Sequence, residues 1–197
     1  MKEQIILFFF SVSFLVSCGQ INKLSEEDYK WMPYKGNETL VFKSNTGSID
    51  TIFIIKKDTL LAYPEAQALH GIKYEAVSVL CRHYSLDKQE IRRSYYLFKV
   101  QKAKDKRTEI VMDLSARDAV FYNLSPLKTD SLSKEKPGTL QTPVGQYDDI
   151  YIIYPDDYAR DFYNRSNYVT KLYWSKSQGL VRYDKKDSIY WELQKRY

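Results

Sequence analysis

The chain reads as a mainly β protein: a single curved antiparallel sheet with one or two short helices, or, as the alternative, a two-sheet sandwich. Three observations predict this. Apolar and polar residues alternate with period two through most of the body. The connectors between these runs are too short for parallel crossovers, which need about a dozen residues or more. Tyrosine, a good strand former, supplies 18 of 197 residues, roughly three times ordinary usage.

The elements follow in chain order. Gly19 to Lys30 is a polar tether in which Ser25-Glu26-Glu27-Asp28 can cap one helical turn. The body begins near Trp31-Met32-Pro33-Tyr34. Residues 39–44 and 48–55 are two strands of a hairpin around Asn45-Thr46-Gly47, where glycine allows positive φ. Leu40 and Phe42 share one face, and Ile52 and Ile54 share one face of the partner. A separate short strand is expected at 59–62, then a brief helix from Tyr63-Pro64-Glu65 to Leu69, stopped by Gly71. Longer strands are expected at 72–84, 91–102 and 107–114, with a further one at 119–124. Residues 125–143, rich in Ser, Thr, Lys and Pro, read as one long loop. A strand at 147–154 and a short helix over Asp156 to Asn164 come next. The chain closes in a meander at 168–175, 179–184 and 188–194, with Ile189, Trp191 and Leu193 on one face of the last strand. Only 54 residues follow the loop, so residues 31–197 are expected to form one domain.

The N-terminus differs in character. Lys2 precedes an apolar run, Ile5 to Val16, broken only by Ser11 and Ser13. It is too short for a membrane helix of about 20 residues and has the length of a signal-peptide core. It ends in Leu15-Val16-Ser17-Cys18, which resembles the lipobox of bacterial lipoproteins. That resemblance implies cleavage between Ser17 and Cys18, with acyl chains placed on the Cys18 sulfur and on the new amine. One acyl chain holds a protein only marginally, whereas two or three hold it firmly, at ~0.8 kcal/mol per buried CH₂. Residues 1–17 carry one base, Lys2, and one acid, Glu3, so their removal leaves the net charge at +5. Cys81 then remains as the sole free thiol, so the body has no internal disulfide and must rely on core packing.

The sequence lacks H-E-x-x-H, G-x-S-x-G, a glycine-rich phosphate loop and C-x-x-C. No catalytic residue, metal ligand or cofactor is assigned on that basis. Cys81 and His83 lie two apart on one strand and share a face, as a nucleophile and base would. The favoured reading is a small core thiol and an edge histidine, because no third orienting group is evident in the sequence. His70, before Gly71, reads as a helix-end residue. Asp148-Asp149 and Asp156-Asp157 bracket a strand and could bind Ca²⁺ or act as acid and base; helix capping and a solvated turn are favoured. Basic clusters at Lys56-Lys57, Arg92-Arg93, 102–107 and Lys185-Lys186 suit anionic lipid or an acidic polysaccharide. Scattered solubilising charge is the plainer account. Outside the cytoplasm nucleic acid is not an expected partner.

Two stretches, WMPYKGNETLVFKSNTGSIDTIFI over 31–54 and LYWSKSQGLVRYDKKDSIYWEL over 172–193, resemble small Tyr-rich lipoproteins of the Bacteroidetes group. The likeness covers about a third of the chain. It implies a location and a style of fold but no reaction. It also implies candidate O-glycosylation where Asp-Ser/Thr precedes an apolar residue: Thr51, Thr59, Ser131 and Ser188, with Ser131 foremost because it lies in the long loop. Surface-exported members carry acids directly after the cysteine. Here residues 19–23 intervene, so a position on the outer membrane facing the periplasm is expected. The functional expectation is a lipid-anchored, non-enzymatic binding or scaffold module. Its partner would be an anionic glycan, a lipid or an envelope protein. The alternatives are a hydrolase using the aspartates and a carrier holding a lipid-like ligand inside the curved sheet.

Overall fold

The computed structural model describes residues 20–63, 71–85, 90–91, 94–115, 119–121, 123, 125–156 and 163–197. It is a mainly β, curled antiparallel half-barrel with two short helices among the described residues. The strands are β1 (Ile21–Asn22), β2 (Glu38–Ser44), β3 (Ile49–Ala62), β4 (Lys73–Ser85), β5 (Glu90–Ile91), β6 (Tyr95–Lys102), β7 (Thr108–Met112), β8 (Leu114–Ser115), β9 (Val120–Phe121), β10 (Leu127–Lys128), β11 (Gly138–Thr142), β12 (Gly145–Ile153), β13 (Val169–Ser175), β14 (Gly179–Lys185) and β15 (Tyr190–Arg196). The helices are α1 (Glu26–Tyr29) and α2 (Thr129–Leu132).

The order across the main sheet is β10-β7-β6-β4-β3-β2-β15-β14-β13-β12-β11, with β1 and β5 added beside β4. Two meanders, β2 to β7 and β11 to β15, are zipped together where β15 pairs with β2. The two edge strands, β10 and β11, are neighbours in sequence. The chain from Lys128 to Gly138, which includes the single turn of α2, can span at most about 30 Å. That short link holds the opposite edges near each other and forces the sheet to curl.

The inner face follows from alternation. Leu40 and Phe42 on β2, Asp50, Ile52 and Ile54 on β3, and Val77, Val79, Cys81 and His83 on β4 are all buried. On β14 and β15, Val181, Tyr183, Trp191 and Leu193 continue the same surface. Phe98 of β6 stacks on Trp174 of β13 across the interior, with ring centres 4.0 Å apart. Tyr34 packs edge-on to both.

Three expectations are corrected. The strands expected at 48–55 and 59–62 are one strand, β3, with a bulge between Ile54 and Lys56. The extra residue switches which side chains face inward, and this breaks the apparent period. Residues 125–143, expected as a long loop, hold β10, α2 and β11. The tether expected over 18–30 is bound to the body from Gln20 onward. The Lys73 N–H donates to the Gln20 carbonyl at 2.9 Å, β1 pairs in parallel with β4, and Leu24 enters the core. Trp31, Met32 and Tyr34, just after the tether, lie buried in the core. The helices expected at 63–69 and 156–164, and His70, fall largely or wholly outside the described residues.

Candidate functional site

The period-two reading of β4 places Cys81 and His83 on the inner face, and both are buried, so His83 is a core residue and not the edge residue expected. The β3–β4 register sets Ile52 opposite His83 and Asp50 opposite Ser85. Asp50 thereby reaches the imidazole: its Oδ2 contacts His83 Nε2. The same oxygen accepts from the Tyr183 hydroxyl at 2.7 Å, and Oδ1 accepts from the Thr51 N–H at 2.9 Å. Tyr95 Oη lies 3.4 Å from His83 Nδ1 and also bonds Cys81. Asp50 is the third group that sequence reasoning missed.

The constellation Cys81–Tyr95–His83–Asp50–Tyr183 has the composition of a nucleophile, base and orienting acid. Its setting removes that chemistry. A nucleophilic cysteine needs an accessible thiolate. Cys81 is fully buried, and burial pushes its thiol up to about 12 against the opposing hydrogen bond from Tyr95. His83 is 3% exposed, so no substrate reaches the imidazole in this conformation. What the network does is join β3, β4, β6 and β14 through satisfied buried polar groups, which fixes their mutual register.

The acidic pairs separate. Asp148 is exposed and accepts from Gln146 Nε2 at 2.7 Å. Asp149 accepts from Ser175 Oγ at 2.6 Å and from the Ser177 N–H at 2.7 Å, stapling β12 to the β13–β14 turn. Burial raises its carboxyl pKa, but the hydrogen bonds from Ser175 and Ser177 outweigh that and leave it lowered. Asp156 accepts from the Ser125 N–H at 2.8 Å, and Asp157 lies outside the described residues. Among the described residues, no three of His, Cys, Asp and Glu converge as a metal site requires.

Within the basic clusters three cations are paired, and Arg92-Arg93 lies outside the described residues. Lys56 contacts Asp58 at 2.6 Å, Lys102 contacts Asp28 at 2.8 Å, and Arg107 is bound by Asp105. On the outer face Arg182 lies between two rings, 4.0 Å from the centre of Tyr190 and 5.0 Å from that of Tyr173. Its guanidinium donates to Asp184 at 2.6 Å and to Glu192 at 3.1 Å. This makes a stiff aromatic platform whose cation is already neutralised.

Of the candidate modification sites, Ser131 is exposed on α2, Ser188 is exposed in the β14–β15 turn, and Thr59 is exposed on β3. Thr51 lies within the sheet between Val41 and Tyr84, so its Asp-Thr-apolar triplet is accounted for by the Asp50 network. Ser17 and Cys18 lie outside the described residues. No family model, curated protein or solved structure matches the chain.

Proposed function

We propose that this chain is an envelope lipoprotein, acylated on Cys18 and held at the outer membrane facing the periplasm, whose β body is a non-enzymatic binding or scaffold module. The observation that carries the reading of the body is the filled concave side of the sheet. Tyr34 is fully buried against Phe98 and Trp174, and its hydroxyl accepts from the Leu180 N–H at 3.0 Å. A lipid carrier would need this space as an apolar cavity of at least ~300 Å³. A hydrolase would need free, converging carboxylates, and Asp149 is engaged as a turn staple. Recognition is therefore assigned to the outside of the sheet, where a glycan, lipid or envelope protein would meet the exposed tyrosines. Ser131, Ser188 and Thr59 are the proposed glycosylation positions.

Fractionation of cells tests the proposal. The wild-type protein should sediment with outer membranes and be released by detergent but not by salt or carbonate. Recovery of the wild-type protein in the soluble fraction would contradict it.

A further inference from the structure

We infer that the end of the half-barrel beside β1 rests directly on the lipid leaflet that holds the acyl chains of Cys18. The inference builds on the lipoprotein reading above and concerns how the body is placed on the membrane.

Tether length is the first observation. The chain is already bound to the body at Gln20, whose carbonyl accepts from the Lys73 N–H, and Ile21 pairs with Lys73. Cys18 lies two positions before this point, a reach of about 7 Å at full extension. The headgroup layer on each side of a bilayer is itself roughly 5–8 Å thick. A cysteine whose acyl chains enter the hydrocarbon thus leaves enough chain to cross the headgroups and no more.

The surface at that end is the second observation. Ile21, Leu60, Leu61 and Ile72 are large aliphatic side chains exposed at 37–48%. The register brings them to one end of the sheet: Ile21 pairs with Lys73, next to Ile72, while Leu61 and Leu60 pair with Glu75 and Ala76 on the other side of β4, one on each face. The remaining exposed large hydrophobics among the described residues are mostly aromatic and lie elsewhere. Lys23 is exposed in the same segment, and Lys73 lies over the Tyr63 ring at 5.3 Å, so aliphatic groups are rimmed by long cations and a phenol. That is the composition of a surface that dips into the interface, with apolar groups below and lysines reaching to phosphate. A cleft of about 420 Å³ opens at the same end, lined by Leu60, Tyr63 and Tyr74, by lysines including Lys104, and by Glu75 and Glu109.

The occupant is a phospholipid leaflet, and depth-dependent quenching tests it. Acylated protein is reconstituted into vesicles of phosphatidylethanolamine and phosphatidylglycerol, with an environment-sensitive fluorophore at Leu61→Cys, at Ile72→Cys, or at Thr46→Cys. Thr46 sits in the exposed turn before β3, so 14 strand residues, about 45 Å, lie between it and the membrane end. Cys81 is buried and Cys18 is blocked, so the label goes to the introduced thiol. Spin-labelled lipid should reduce emission from positions 61 and 72 by about half or more, as for groups 5–10 Å into the interface, and leave position 46 unchanged. Equal emission at all three positions in protein that floats with the vesicles would overturn the docking while leaving the anchor intact. Protection of position 61 without lipid quenching would show a second protein copy there and overturn it equally. Protein that lacks acyl chains and does not float would overturn both readings.

Discussion

At the scale of single residues, charge is placed where hydrogen bonds can hold it. Asp50 gathers donors from His83, Tyr183 and its own neighbour Thr51. In the sequence it stands in an Asp-Thr-Ile triplet, and nothing local joins it to Tyr183, which lies 133 positions away. Cys81 and His83 were legible as a same-face pair; their burial and their third partner depend on register and curl. The thiol should behave as a structural group. Folded protein should react with a water-soluble maleimide many times more slowly than unfolded protein, and rapid labelling at neutral pH would show an exposed thiolate. Asp28 is the other informative acid. Burial raises its carboxyl pKa, but hydrogen bonds from Lys102, Thr108 and Ser25 bring it down to about 2. A folded value below the ordinary 3.8 stabilises the fold fully above about pH 4 and ceases to as pH falls toward 2. Asp28→Asn should therefore cost about 1–2 kcal/mol at neutral pH, and the difference from wild type in urea denaturation should shrink between pH 4 and 2.

At the scale of elements, the strands were legible because most of them alternate cleanly. The exceptions have local causes. The β3 bulge hides one long strand as two, and the polar composition of 125–143 conceals β11, an edge strand that buries little beyond Thr142. The start of β14 shows a constraint that the sequence records only as a glycine. Gly179 has φ +87°, and a Cβ there would come within 2.5 Å of the Tyr34 hydroxyl. Gly179→Ala should cost about 2–4 kcal/mol from left-handed strain plus overpacking. Gly138→Ala, where the Cβ would meet the Ile150 carbonyl oxygen at 3.7 Å, should change the melting midpoint little. The last strand gives a second contrast. Trp191 is 8% exposed and stacks on Tyr183, whereas Tyr190 faces outward over Arg182. Trp191→Ala should cost ~3–5 kcal/mol and Tyr190→Ala much less. Equal shifts in melting midpoint would mean that the face assignment of β15 is wrong.

At the scale of the whole molecule, the curved antiparallel sheet was foreseeable from alternation and short connectors. What closes it was not. The pairing of β15 with β2 joins the two ends of the body, and the β10–β11 link ties the two edges. Both are long-range facts that no window of sequence contains. The same holds for the N-terminal segment: Trp31 and Tyr34 read as the start of the body, yet they pack within the core. Tyr34, Phe98 and Trp174 pack together across the interior of the half-barrel, and Gln20, two positions after Cys18, is already bonded to Lys73. The most direct measurement is metabolic labelling with an alkyne fatty acid, comparing wild type with Cys18→Ala. The wild type should carry the label on a processed chain beginning at Cys18, and the variant should accumulate as unlabelled precursor. Undiminished labelling and normal processing of Cys18→Ala would contradict the account.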